Sequence, residues 1–138
     1  MKFKVVGICL FMVMLLCAGC AGGKYQTMYG LTNWYYLNHK TIESQYANAD
    51  AETKAWYEEK VNPYMNVFKQ AIIGMDAIDR GDNVKAAACA SKITLMATGI
   101  AYDASKLAEA IVNKDYDAML AEMLVLKNII IQKLSERS

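Results

Sequence analysis

The chain reads Ala77-Ile78-Asp79-Arg80-Gly81-Asp82 at one point and Ala110-Ile111-Val112-Asn113-Lys114-Asp115 thirty-three residues later. In both stretches an alanine-isoleucine pair is followed by polar residues and then by an aspartate. Aspartate is a preferred N-cap, because its carboxylate accepts hydrogen bonds from the unpaired N–H groups of a first helical turn. The two stretches therefore predict one helix-turn-helix junction used twice. Asp50, which lies 32 residues before Asp82, predicts a further helix start.

Apolar periodicity divides the chain at these aspartates into four helical segments. In the third segment the apolar residues follow alternating steps of three and four, which predicts one long helix: Ala86, Ala90, Ile93, Ala97, Ile100, Ala104, Leu107 and Ile111. The fourth segment repeats this pattern with Tyr116, Met119, Met123, Leu126 and Ile130, widened by Leu120, Leu124, Ile131 and Leu134. Helices of about 28 residues would form a rod about 42 Å long.

The first two segments also carry an apolar face, and the second contains a break. The faces consist of Met28, Leu31, Tyr35, Asn38 and Ile42 in the first segment, and of Val61, Met65, Phe68, Ile72 and Met75 in the second. Pro63 removes a backbone hydrogen bond, so we expect the second helix to be kinked or split there. We predict an all-α fold, an antiparallel up-down four-helix bundle. A spacing near 33 residues also occurs in tetratricopeptide and ankyrin repeats, but those place two helices in each repeat.

The N-terminus has the pattern of a secretory signal. Lys2 and Lys4 precede a twelve-residue apolar run at residues 5–16, which is too short for a membrane-spanning helix. The run ends in Leu16-Cys17-Ala18-Gly19-Cys20, which resembles the lipobox of bacterial lipoproteins. The resemblance covers residues 1–20 and implies diacylglyceryl attachment to the Cys20 thiol, cleavage before Cys20, and acylation (palmitate) of the new amine. It divides the chain into a removed signal peptide at 1–19, an anchor and tether at 20–26, and a helical domain at 27–138.

The same resemblance predicts where the protein resides, with one alternative open. It places the protein in the bacterial cell envelope, and Ala21 after the acylated cysteine implies the periplasmic face of the outer membrane in a host with two membranes. Cys17 stands where lipoproteins usually carry Leu or another aliphatic residue. An ordinary signal peptidase that accepted Gly19-Cys20-Ala21 would instead release a soluble protein.

Composition limits the partners of the mature chain. Loss of Lys2 and Lys4 leaves thirteen basic against fourteen acidic side chains, a formal net charge of −1. Without a basic excess we expect no nucleic-acid partner. Cys89 lies among alanines, and once Cys20 is acylated it has no cysteine partner in the mature chain. We therefore expect a buried free thiol, with an intermolecular disulfide as the alternative.

No catalytic, metal or cofactor site is expected from the motifs. His39 and Glu43 are four residues apart and share a helix face, but the chain has no second histidine, so an ordinary surface pair explains them better. The Gly-x-Ser-x-Gly, phosphate-loop and haem-attachment patterns are absent. Arg80-Gly81-Asp82 spells an integrin-binding tripeptide, but glycine at a helix end followed by a capping aspartate suits any tight helix junction.

Aromatic residues are concentrated close to the predicted anchor. Five of them lie within twelve residues: Tyr25, Tyr29, Trp34, Tyr35 and Tyr36. Tyrosine and tryptophan favour the membrane interface, because they combine an apolar ring with a polar group. The sequence predicts a membrane-interface patch, with partial burial between helices as the alternative.

These observations favour a non-enzymatic, membrane-anchored lipoprotein that acts by protein–protein contact as an assembly, adaptor or exclusion-type factor. Its partners would be the lipid bilayer, through acylated Cys20, and an envelope protein. The alternative is an apolar small-molecule or lipid-binding bundle whose cavity is lined by Met65, Met75, Met96, Met119 and Met123. An enzyme would need a convergent polar cluster around His39.

Overall fold

A computed structural model describes residues 23–136, with side chains from Gln26 onward. All regular secondary structure in these residues is helical, which confirms the all-α prediction for this part of the chain. There are six α-helices and one short 3₁₀ turn: α1 Gly23–Ala47, α2 Ala51–Lys60, α3 Asn62–Asp79, α4 Asn83–Met96, the 3₁₀ turn Ala97–Gly99, α5 Ser105–Val112 and α6 Tyr116–Ser135. The predicted signal peptide at 1–19 and Cys20 lie outside the described residues.

The three aspartates are N-caps, as predicted. In each case the carboxylate accepts a hydrogen bond from the N–H group three residues later. The pairs are Asp50 with Thr53 at 2.7 Å, Asp82 with Lys85 at 3.0 Å, and Asp115 with Ala118 at 3.1 Å. The starts of α2, α4 and α6 are therefore fixed by local side-chain chemistry.

The two junctions have the same backbone geometry. At the first, the N–H of Asp82 donates to the carbonyl of Ala77 at 2.8 Å and the N–H of Gly81 to that of Ile78 at 3.0 Å. At the second junction, the N–H of Asp115 donates to the carbonyl of Ala110 at 2.9 Å, and the N–H of Lys114 donates to that of Ile111 at 3.3 Å. This paired pattern is the Schellman motif, which requires a left-handed residue. Gly81 at φ 72° occupies that position in the first junction and Lys114 at φ 56° in the second.

The predicted split near Pro63 is confirmed. α2 ends at Lys60 and α3 begins at Asn62, so Pro63 lies in the first turn of α3. Backbone N–H groups in a first turn have no acceptor within the helix, so the missing N–H of proline costs no hydrogen bond there. Val61 between them is fully buried, at 0% exposure. The break between α2 and α3 therefore leaves Val61, part of the predicted apolar face of the second segment, directed at the core.

The prediction of one long third helix is wrong. α4 ends at Met96 and α5 begins at Ser105. A Cβ atom built on Gly74 of α3 would lie 3.5 Å from the Cβ of Cys89 and 3.3 Å from the Cδ1 of Ile111. In a straight helix these two residues would be about 33 Å apart. The chain therefore reverses direction between α4 and α5, and the predicted 42 Å rod does not form.

The break has local causes. The Thr98 hydroxyl donates to the Leu95 carbonyl at 2.7 Å, Gly99 has weak helix propensity, and Ile100 is extended, at φ −121° and ψ 157°. The Asp103 carboxylate then accepts the Ser105 N–H at 3.0 Å, where α5 begins. The apolar spacing continues through the break, because Ile100 also packs against the core.

Contacts between side chains establish the directions of the other helices. The Tyr116 hydroxyl donates to the Asp79 carboxylate, and Lys133 lies over the ring of Tyr64, so α6 runs antiparallel to α3. Tyr46 near the end of α1 packs edge-on against Tyr57 of α2, with ring centroids 5.7 Å apart. α1 packs on α3 and α6, whereas α4 packs on α3 and α5. α3 therefore lies at the centre of the domain.

Candidate functional site

Helix α1, which follows the predicted anchor, has one face in the core and one in solvent. Leu31 and Tyr35 are buried, at 3% and 2% exposure. Tyr29 and Tyr36 are exposed, at 73% and 54%. Because these two tyrosines are seven residues apart, they lie on the same side of the helix, two turns from each other.

The inward face of α1 is held by aromatic stacking. The Tyr35 ring stacks on Phe68 of α3, with centroids 5.7 Å apart and an angle of 8° between the planes. Trp34 meets Phe68 edge-on at 5.3 Å, and the Lys127 ammonium of α6 lies 5.5 Å from the centre of the Trp34 ring. Burial raises the pKa of the Tyr35 hydroxyl. Trp34 and Tyr35 therefore attach α1 to α3 and α6.

The structure thus divides the five predicted interface aromatics. Tyr35 is buried and Trp34 is half-buried in the helix contact, which was the alternative for these residues. Tyr29 and Tyr36 remain as surface candidates. The side chain of Tyr25 lies outside the described residues.

Three aliphatic side chains on α1 and α6 are also exposed, although none of them was predicted as a surface candidate. Leu37 on α1 is 58% exposed, and Leu124 and Ile131 on α6 are 42% and 45% exposed. The last two were predicted to widen the buried seam of the fourth helix, and this prediction was wrong. A helical projection from Met123 places Leu124 and Ile131 about 80–100° from the centre of the buried face, at its edge.

A second apolar surface lies on α4. Val84 and Leu95 are 83% and 75% exposed. Between them Ala88 and Ser91 are also exposed, and all four residues follow steps of four, three and four along one side of the helix. Below this stripe Ala86, Cys89, Ala90 and Ile93 face the core.

Cys89 is buried, at 3% exposure, as predicted. It lies where Gly74 allows α3 to approach α4 and α5 closely. Burial raises the pKa of its thiol, so the reactive thiolate is disfavoured. The thiol is therefore a packing group at the α3–α4 contact.

His39 lies on the solvent side of α1. Its Nδ1 is 3.6 Å from the Glu43 carboxylate, and its ring stacks on Tyr35 with centroids 5.7 Å apart. Among the residues whose side chains are described, no three His, Cys, Asp or Glu side chains are grouped so that they could hold a metal ion. The predicted pair of His39 and Glu43 is therefore present on one side of α1.

A groove of about 310 Å³ lies between α5 and α6. Five of its eight lining residues are polar or charged and three are alanines: Lys106, Glu109, Ala110, Asn113, Asp115, Ala118, Ala121 and Glu122. Near it the Tyr102 hydroxyl donates to the Glu122 carboxylate at 2.6 Å, and burial together with this bond raises the pKa of Tyr102. None of the methionines proposed to line an apolar cavity borders this groove. Met65, Met75, Met119 and Met123 instead fill the core, at 0–1% exposure.

The Arg80-Gly81-Asp82 tripeptide is a structural turn. The Arg80 guanidinium pairs with Asp76 at 3.1 Å, Gly81 supplies the left-handed residue, and Asp82 caps α4. All three residues therefore have a role within the junction.

Comparison with known protein families, curated proteins and solved structures finds no match to this chain. Within residues 23–136, no helix combines the length and apolarity needed to cross a bilayer.

Proposed function

We propose that this protein is a lipid-anchored, non-enzymatic lipoprotein of the bacterial envelope that acts by protein–protein contact, as an assembly, adaptor or exclusion-type factor. The anchor rests on the lipobox-like stretch Leu16-Cys17-Ala18-Gly19-Cys20 behind a basic and apolar leader. Acyl chains on Cys20 would hold the mature chain on the membrane, since each buried methylene contributes about 0.8 kcal/mol. In a host with two membranes, Ala21 favours the periplasmic face of the outer membrane.

The exposed stripe on α4 is the observation that carries the contact function. Val84 and Leu95, at 83% and 75% exposure, are the two most exposed aliphatic side chains among the large hydrophobic residues described. Val84 and Leu95 lie on one side of α4 with only small side chains between them, and exposed apolar groups that share one surface are candidates for an interaction site. The small residues Ala88 and Ser91 between them leave room for a partner helix to approach closely.

The arrangement of helices supports this assignment. We propose an antiparallel up-down four-helix bundle that consists of α3, α4, α5 and α6, instead of the four segments predicted from the sequence, with α1 packed on α3 and α6. In this arrangement α4 lies away from α1, the helix that follows the anchor. The partner surface would therefore be accessible while the protein is held at the membrane.

Acylation is tested with two cysteine variants in cells supplied with labelled palmitate. Wild type and Cys17→Ser should incorporate the label and sediment with membranes, because both retain Cys20. Cys20→Ser should incorporate none and lose membrane association. Labelling of Cys20→Ser, or release of unlabelled wild-type protein, would contradict the anchor.

The contact function is tested with a photo-crosslinking residue at position 95, and the matched control places it at Asn128, which is exposed on α6. A discrete adduct should form from position 95 and should be lost when Val84→Asp is added, because Val84 belongs to the same stripe. Equal adducts from positions 95 and 128, or an adduct indifferent to Val84→Asp, would contradict the assignment.

A further inference from the structure

We propose that α1 lies flat on the bilayer that holds Cys20, with Tyr29, Tyr36 and Leu37 in the headgroup layer. The proposal rests on the proposed lipid anchor and adds an orientation to it. The occupant of this surface is the lipid surface itself.

The length of chain between the anchor and the helix supports this orientation. α1 begins at Gly23, inside the segment predicted as a tether, so only Ala21 and Gly22 separate its first residue from Cys20, which makes three Cα–Cα steps. Fully extended, they span about 11 Å. The start of α1 therefore lies close to the headgroups whatever the tilt of the helix.

The position of the exposed side chains distinguishes a flat helix from an upright one. Tyr36 is thirteen residues beyond Gly23, and an upright helix would raise it about 20 Å above the helix start. The headgroup layer is only about 5–8 Å thick on each side of the bilayer. Tyr29 and Tyr36 can therefore both reach this layer only if α1 lies along the membrane.

The chemistry of α1 suits a lipid surface. Residues 26–38 include no charged side chain, so no ion has to be desolvated along this half of the helix. Tyr29 and Tyr36 are the residue type enriched at the membrane interface. Lys40, exposed one turn beyond Tyr36, suits an anionic headgroup.

The neighbouring helix limits this surface to α1. Lys127 of α6 lies over Trp34 of α1. Trp34 is about 160° around the helix from Tyr36, so α6 lies on the other side of α1. The membrane-facing surface therefore consists of Tyr29, Tyr36 and Leu37.

The orientation is tested with the acylated protein reconstituted in vesicles of phosphatidylcholine and phosphatidylglycerol. An environment-sensitive fluorophore is attached at Leu37→Cys, and the matched control carries it at Leu95→Cys on α4; headgroup spin-labelled lipid is the quencher. We expect about threefold stronger quenching at position 37 than at 95, since only position 37 lies in the interface. Adding Tyr29→Ser and Tyr36→Ser, both exposed, should reduce quenching at position 37.

The outcomes separate the orientation from the anchor. Acylated, vesicle-bound protein with equal quenching at positions 37 and 95 would overturn the flat orientation and leave the anchor intact. A fluorophore at position 37 that is shielded from water but not quenched, together with crosslinking of this position to a second copy of the chain, would assign the surface to a dimer instead. Absence of the acyl mass together with loss of vesicle binding would overturn both proposals.

Discussion

The two helix junctions have the same hydrogen bonds but differ in the residue at their left-handed position. Gly81 adopts φ 72° in the first junction, and Lys114 adopts φ 56° in the second. This left-handed conformation destabilises the folded state by about 1–2 kcal/mol when the residue has a Cβ atom, whereas glycine adopts it without that cost. The shared elements are the alanine-isoleucine pair and the capping aspartate. These shared elements, rather than glycine, therefore define the junction, and the second junction retains backbone strain at Lys114.

The largest effect is expected from the isoleucine that anchors the second junction. Ile111 is fully buried against Gly74, so Ile111→Ala should lower the free energy of unfolding by about 3 kcal/mol. Denaturant titration followed by circular dichroism measures this change. Val112→Ala is the control, because Val112 is 59% exposed and should change stability by less than about 0.5 kcal/mol. Equal effects of the two substitutions would show that the junction is not anchored by Ile111.

Gly81→Ala makes the first junction resemble the second. A Cβ atom at position 81 meets no other atom within 4 Å, so the cost is conformational alone, about 1–2 kcal/mol. Gly99→Ala is the control, since its Cβ also meets open space and its φ is not left-handed. The thermal midpoint should fall for Gly81→Ala only. A similar fall for Gly99→Ala would remove the conformational explanation.

Lys114→Gly makes the opposite change and should stabilise the protein by about 0.5–1 kcal/mol. This gain is the relief of the left-handed strain, reduced by the greater entropy of glycine in the unfolded chain. The preceding residue offers a matched control, because Asn113 has φ −84° and Asn113→Gly should be destabilising. If both substitutions lowered the thermal midpoint, Lys114 would not be strained.

The smallest effect is expected where the two junctions meet. The Tyr116 hydroxyl, at the start of α6, donates to the Asp79 carboxylate at the end of α3. Tyr116→Phe should therefore cost about 0.5 kcal/mol, at the low end for a hydrogen bond, because the pair is exposed. In a double-mutant cycle Asp79→Asn should add little to Tyr116→Phe. Full additivity would mean that the bond does not couple the junctions.

The parts of the fold that local chemistry determines could be predicted from the sequence. Asp50, Asp82 and Asp115 act within three residues of themselves, and Pro63 disrupts only its own turn. The break between α4 and α5 was missed, because Ala97, Ile100 and Ala104 preserve helical spacing while packing on the core from a 3₁₀ turn and a loop. The available signals were Thr98-Gly99 and Asp103, whose carboxylate accepts the N–H of the first residue of α5.

The exposed face of α1 could be predicted only in part. The concentration of aromatic residues identified α1, but which rings face inward depends on Phe68, a residue more than thirty positions away. Leu124 and Ile131 match the apolar pattern of the fourth segment, but both are exposed, at 42% and 45%, because they lie at the edge of the buried face of α6. Such pairings between distant helices cannot be derived from the spacing within one segment.

The lipid anchor on Cys20 is the central claim, and the N-terminal peptide of the protein purified from membranes tests it most directly. Its mass spectrum should show a chain beginning at Cys20 and carrying a diacylglyceryl group on the thiol and an acyl group on the amine. An unmodified Cys20, or a chain beginning at Gly22 after cleavage behind Gly19-Cys20-Ala21, would contradict the claim.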